Sequence, residues 1–107
     1  MKILNYTPHS ITLIDYKGES TEYPSNGVAR CEEIKSVVGS AGGYPIYEVK
    51  YGNLSGLPEW EDNTVIVVSV IAAQAAKAAG RTDCLIVTDV VRNDKGQVIG
   101  ARGFASV

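Results

Sequence analysis

The sequence predicts an α+β fold: a mostly antiparallel, curled and barrel-like β-sheet that carries one short alanine-rich helix. Short runs of alternating or β-branched residues recur between Gly-, Pro-, Asn- and Asp-rich turns, which is typical of a sheet of short strands. One segment, residues 70–80, is instead rich in alanine, the best helix former. The chain has 107 residues and no repeat, linker or low-complexity segment, so we expect a single domain over residues 1–107.

The first part of the chain predicts a hairpin after an interrupted strand. A strand at residues 2–5 must break at Pro8, because proline has no backbone N–H to donate to a neighbouring strand. Alternation resumes over residues 11–14, and the turn at 15–18 predicts that this strand pairs with residues 21–23.

A second and longer hairpin is predicted in the middle of the chain. Residues 28–38 and 44–51 form its strands, and the glycine-rich stretch 39–43 forms the loop between them. Tyr47 and Tyr51 fall on the same face of the second strand. We expect that face to be half-buried core, an oligomer interface or a stacking surface for bases. Residues 52–63 are a long connection.

The pattern changes after this connection. Residues 64–68 are nearly all β-branched and apolar, which predicts a central strand buried on both faces. Ser69 is a suitable N-cap and Gly80 a suitable stop, so the helix is predicted between them. Its packed face should consist of Ile71, Ala72, Ala75, Ala76 and Ala79. Its polar stripe should consist of Gln74, Lys77 and Arg81. A buried strand at 84–87 and a hairpin with its turn at 93–96 complete the chain.

Composition excludes several classes of function. The net charge is −2 and no run of Lys or Arg exists, so the chain is not expected to bind bulk nucleic acid. No signal-peptide core and no apolar run long enough to cross a bilayer are present, so we expect a cytoplasmic protein with no membrane partner. Cys31 and Cys84 are far apart, and one histidine with scattered acids is too few for zinc. No metal and no cofactor are predicted.

Enzymatic activity is less favoured than binding. His9 is the only imidazole, and its neighbour Ser10 would point to the opposite face of a strand. A pairing of His9 with Cys31 or Cys84 through the fold stays open. Near the break at Pro8, the side chains of Asn5, Thr7 and His9 can fix their own turn, bind a ligand or contact a neighbouring subunit.

Two further features are suited to an anionic ligand. The free N–H groups after Ser69 favour an anion at the helix start, although an ordinary N-cap serine is the simpler interpretation. Arginines can add fork-like phosphate contacts, although each alone is more often a surface charge. The candidate ligand-binding residues are therefore Asn5, Thr7, His9, Tyr47, Ser69, Gln74, Arg81, Arg92 and Arg102.

Several stretches together resemble a group of small proteins encoded by phages and prophages, which start with the pattern N-x-T-P-H-x-I. The resemblance covers most of the chain, and the Thr-Pro-His start and the Ser-to-alanine-helix segment are specific in combination. It rests on residues 5–11, 27–30, 37–39, 43–46, 56–58, 66–69, 72–81, 91–96 and 101–104. The resemblance implies a biological setting more than a reaction.

That setting suggests a function by analogy of class. Small phage proteins with compact β folds include sponges that sequester nucleotide signals of bacterial immunity. We therefore expect a non-enzymatic homo-oligomer that binds a small phosphorylated nucleotide. The alternatives are a structural or protein-inhibitor module of a phage, and a small hydrolase of a nucleotide signal.

Overall fold

Eight strands and one helix follow one another in the computed structural model, which describes residues 1–107. Strands make up 53% of the chain. The elements are β1 (Lys2–Asn5), β2 (Ile11–Ile14), β3 (Ser20–Tyr23), β4 (Arg30–Ala41), β5 (Tyr44–Ser55), β6 (Thr64–Val67), α1 (Val70–Ala78), β7 (Cys84–Arg92) and β8 (Val98–Ala105). The helix does not combine the length and the apolar character needed to cross a membrane.

Six strands form one sheet in the order β1-β6-β7-β8-β2-β3. The pairs β1–β6, β6–β7 and β2–β8 are parallel, whereas β7–β8 and β2–β3 are antiparallel. The expectation of a mostly antiparallel sheet is therefore wrong for this part of the protein, because the sheet is mixed. The reason is that α1 carries the chain back across the sheet after β6, so that β7 starts at the same end as β6 and runs parallel to it.

The predicted curl of the sheet and the single short helix are confirmed. Beyond β3 the chain comes back alongside β1: the Asn26 N–H donates to the Asn5 carbonyl at 2.8 Å, and the Ala29 N–H donates to the Tyr6 carbonyl at 3.0 Å. These bonds join the segment that follows the last strand of the sheet order to the end of the first strand. The sheet is consequently nearly closed and barrel-like.

The core lies between α1 and the central strands. Ile66, Val67 and Val68 are almost completely buried, as expected for a central strand. On the helix the buried residues are Ala72, Ala73 and Ala76, whereas Ile71 is 40% exposed. The expectation that Ile71 and Ala79 pack inward is wrong, because both are exposed. Small side chains let the helix approach the sheet closely, and the alanine stripe provides them.

Strands β4 and β5 pair only with each other and form a long two-stranded arm. Gly39, Ser40 and Ala41 belong to β4, so the predicted five-residue loop is shorter and turns at Gly42 and Gly43. The radius of gyration is 16.5 Å, whereas a compact domain of this length would have about 13 Å. The arm therefore extends away from the rest of the molecule.

Candidate functional site

The Asn5 side chain is the centre of a hydrogen-bond network at the start of the chain. It is fully buried, and its Nδ2 donates to the carbonyls of His9 at 2.7 Å and Tyr23 at 2.9 Å. Its Oδ1 accepts from the Thr7 N–H at 3.0 Å and from the Thr7 hydroxyl at 2.6 Å. Asn5 and Thr7 therefore fix the turn around Pro8 and join it to the end of β3.

His9 contributes to this turn through its backbone. Its carbonyl accepts from Asn5 Nδ2 and lies 2.9 Å from the Thr7 hydroxyl oxygen, whose single proton is donated to Asn5 Oδ1 at the shorter distance of 2.6 Å. The residue is exposed, and its imidazole makes no hydrogen bond or ion pair within the chain. A contact of this ring with a ligand or with a neighbouring subunit stays a prediction.

Ser69 caps α1 as expected from the sequence. Its hydroxyl accepts from the Ala72 N–H at 3.3 Å, and its extended backbone is that of an N-cap. Gln74 is exposed in the middle of the same helix. Neither residue lines the large groove described below, and an anion contact at this helix start stays a prediction.

Arg81 forms a partly buried ion pair with Asp83. Two of its nitrogens donate to the carboxylate at 2.7 and 3.0 Å, and one also donates to the Pro58 carbonyl at 3.0 Å. The hydrogen bond from Arg81 lowers the pKa of Asp83 and raises that of Arg81. Burial, with the adjacent carboxylate, raises the pKa of the Cys84 thiol to about 11. Arg81 thus ties the end of the helix to the long connection before β6.

The two arginines of the C-terminal hairpin do not meet. Arg92 pairs with Val98 in the ladder, and its guanidinium donates to the Gly96 carbonyl at 2.8 Å within the turn. Arg102 lies further along β8. Thr88 pairs with Gly103 and Val90 pairs with Ala101. Arg102 therefore lies opposite Asp89 in the ladder.

A groove of about 850 Å³ lies against the curled sheet. Side chains from five strands and from the β2–β3 turn surround it. Of the nine candidate ligand residues only Arg102 lines it. The other lining residues are Ile3, Leu13, Ile14, Asp15, Tyr16, Gly18, Glu19, Thr21, Tyr23, Asp89, Gly103 and Phe104.

The charges of the groove are one cation and three carboxylates. Arg102 is exposed and takes part in none of the three ion pairs of the chain. Asp15 is committed to its own turn, because it accepts from the backbone N–H groups of Lys17 and Glu19. Asp89, which faces the groove opposite Arg102, has a backbone φ of 56°, an unusual conformation for a residue with a side chain.

The sequence alone did not reveal this groove. Its walls come from residues 3–23 and 89–104, and they meet only because β2 lies beside β8. The one local indication is the charged β2–β3 turn, whose Asp15 and Glu19 line the groove. Tyr47, the remaining candidate, lies on the arm and is 51% exposed.

No set of three or more His, Cys, Asp or Glu side chains is arranged to hold a metal ion. Comparison with known proteins identified no matching family, curated protein or solved structure.

Proposed function

We propose that this chain is a small phage-type binding protein that sequesters a nucleotide second messenger of bacterial anti-phage immunity in the groove around Arg102. The single observation that carries the proposal is an exposed guanidinium without a partner in a groove of about 850 Å³. Ligand sites in proteins typically enclose roughly 300–1,000 Å³. The phage setting rests on the sequence resemblance alone.

The chemistry of the lining supports a nucleotide. Tyr23 and Phe104 offer aromatic rings on which a base can stack, and Arg102 offers a fork of donors to a phosphate. Asp89 and Glu19 are carboxylates, which accept hydrogen bonds from ribose hydroxyls. Base, sugar and phosphate thus each have a matching group in one groove.

The net charge of the lining narrows the ligand class. One arginine against three carboxylates disfavours a polyphosphate, because each further phosphate would lie near uncompensated negative charge. Ligands with several hydroxyls and few phosphates suit the groove better. Cyclic nucleotides and nucleotides derived from ADP-ribose are the classes to test.

The direct experiment combines titration with recovery of bound material. Isothermal titration calorimetry with a panel of cyclic and ADP-ribose-derived nucleotides should give saturable binding for at least one member. Mass spectrometry of the supernatant after heat denaturation should then recover that nucleotide unchanged. If no panel member gives heat and no nucleotide is recovered from the protein purified from infected cells, the proposal is wrong.

Matched arginine variants locate the site. Arg102→Gln should weaken binding by roughly 10- to 100-fold, the usual effect of losing one charged hydrogen bond. Arg92→Gln removes a guanidinium from the same hairpin outside the groove and should bind like the wild type. Equal losses in both variants would refute a site at Arg102.

The same samples distinguish hydrolysis of the nucleotide from its sequestration. Conversion of the nucleotide to a product, abolished in His9→Ala, would establish turnover and overturn simple sequestration. A structural or protein-binding role is favoured by a different observation, the exposed apolar arm of β4 and β5.

A further inference from the structure

The arm of β4 and β5 exposes more apolar surface than a free two-stranded ribbon should carry. Eight of its large apolar side chains are between 38% and 76% exposed. Isolated two-stranded hairpins are marginally stable in water, and stable ones pack against a third element. Only the base of the arm is packed: it contacts α1, and Leu54 packs against the core, whereas the rest of the arm has no strand as a neighbour in the sheet.

One face of the arm carries two tyrosines and two valines in neighbouring positions. Tyr47, Val49 and Tyr51 alternate along β5, and Val37 lies directly across from Tyr47 on β4. These four residues are called the tyrosine face. Ile46 belongs to the opposite face, where its cross-strand partner is Gly39.

The chemistry of the arm favours a second copy of the same chain as the partner. Three cations, Arg30, Lys35 and Lys50, balance three carboxylates, Glu32, Glu33 and Glu48. Because the arm has no net charge and its tyrosine face carries one charge of each sign, Glu33 across from Tyr51 and Lys35 across from Val49, two arms related by a two-fold axis do not repel each other and can exchange ion pairs. The arm offers no surface of single charge that would attract a strongly basic or strongly acidic partner protein.

The area of the tyrosine face suits a weak dimer. A free tyrosine side chain exposes about 150–250 Å² and a valine less, so the four side chains at about half exposure present on the order of 400 Å². A stable interface of standard size buries about 800 Å² on each partner, and weak, transient ones bury less. The tyrosine face therefore supports a dimer that forms at the higher protein concentrations.

From these observations we infer that two copies of the chain associate through their arms, with the tyrosine face of one packed against the tyrosine face of the other about a two-fold axis. The inference does not depend on the proposed ligand. It makes the arm an assembly element and leaves the groove around Arg102 outside the interface.

Sedimentation velocity of the full chain over a range of concentrations tests this inference. At the higher concentrations the wild type should sediment with twice the 11.4 kDa mass of one chain, or as a larger even assembly of such dimers. Tyr47→Glu should raise the dimer dissociation constant roughly 100-fold or more, because two carboxylates without partners would be buried across the axis. Tyr47→Phe keeps the ring and should remain dimeric.

Ile46→Glu is the matched control. It introduces the same charge on the neighbouring residue of the same strand, but on the opposite face of the arm, and it should dimerise like the wild type. Circular dichroism of each variant verifies that the sheet is intact. A wild type that is monomeric at every concentration, or a dimer that Ile46→Glu dissociates as readily as Tyr47→Glu, would overturn the inference.

Discussion

Replacing Asn5 by aspartate changes a single atom of the buried network at the start of the chain. In the wild type the Nδ2 group donates to the carbonyls of His9 and Tyr23, at 2.7 and 2.9 Å. In Asn5→Asp an oxygen takes the position of that nitrogen and faces the same two carbonyl oxygens. The bonds from Thr7 to the other side-chain oxygen remain possible, so the substitution removes only the two hydrogen bonds that Nδ2 donates.

The magnitude follows from those two contacts. The Tyr23 carbonyl is left unpaired, and the His9 carbonyl can pair only if the Thr7 hydroxyl turns away from the side-chain oxygen of residue 5, so each lost hydrogen bond costs about 1–3 kcal/mol. A negative charge placed against two carbonyl oxygens adds to that cost. We expect Asn5→Asp to lower the free energy of unfolding by about 3–4 kcal/mol at neutral pH, a large part of the stability of an ordinary domain.

The pH dependence has a definite sign. When protonated, the introduced carboxyl can donate to one of the two carbonyls, so its pKa in the folded state should rise above the roughly 3.9 of an unfolded chain. The protonated form is therefore the one that the fold stabilises. The deficit of the variant relative to the wild type should be smallest below the unfolded pKa and should grow as pH rises through the folded pKa.

Urea unfolding followed by circular dichroism, at one protein concentration and several pH values, measures this effect. Asn26→Asp is the matched control. Asn26 is exposed, and its side-chain oxygen already accepts from the Asn5 N–H at 3.0 Å, so a carboxylate there keeps the bond. Equal stability of the two variants at neutral pH, or a deficit of Asn5→Asp that shrinks as pH rises, would refute the reasoning.

Three further substitutions test other parts of the fold by urea unfolding. Arg81→Ala leaves the buried Asp83 carboxylate without its cation and should lower the free energy of unfolding by about 3–5 kcal/mol at neutral pH. Because Arg81 lowers the pKa of Asp83, this loss of stability should shrink as pH falls through that lowered pKa. A loss that does not depend on pH would contradict this explanation. Ser69→Ala should cost about 1 kcal/mol, and no loss would contradict capping. Gly56→Ala should cost more than about 2 kcal/mol, because φ is +87° and a Cβ would overlap a backbone carbonyl oxygen; Gly39→Ala, in open space, should be nearly neutral, and equal losses would contradict the strain.

Elements fixed by neighbouring residues could be predicted from the sequence. The hairpin of β2 and β3 follows from alternation and a turn, and its register pairs Leu13 with Thr21 as such a turn requires. The helix follows from Ser69, the alanines and Gly80, which has the left-handed backbone of a C-terminal stop. In each case the information lies within about ten residues.

Pairing between distant segments could not be predicted in the same way. β1 lies against β6 with Leu4 beside Ile66, and no local pattern distinguishes that parallel partner from an antiparallel one. The groove depends on such a pairing, between β2 and β8 at Leu13 and Ala101. Sequence reasoning consequently reached Arg102 as one of several arginines, but it could not identify Asp89 or Phe104 as its neighbours.

The nearly closed sheet explains why a buried asparagine lies at the start of the chain. Where the end of β3 meets the end of β1, Pro8 and Pro24 lack the N–H groups that a regular ladder would use. The carbonyls of His9 and Tyr23 would then have no backbone donor, and the Asn5 amide supplies both bonds while its oxygen accepts from Thr7. Among the side chains of this size only an amide has two donors and an acceptor. Since Tyr23 also lines the groove, the same amide holds one wall of the proposed ligand site in position.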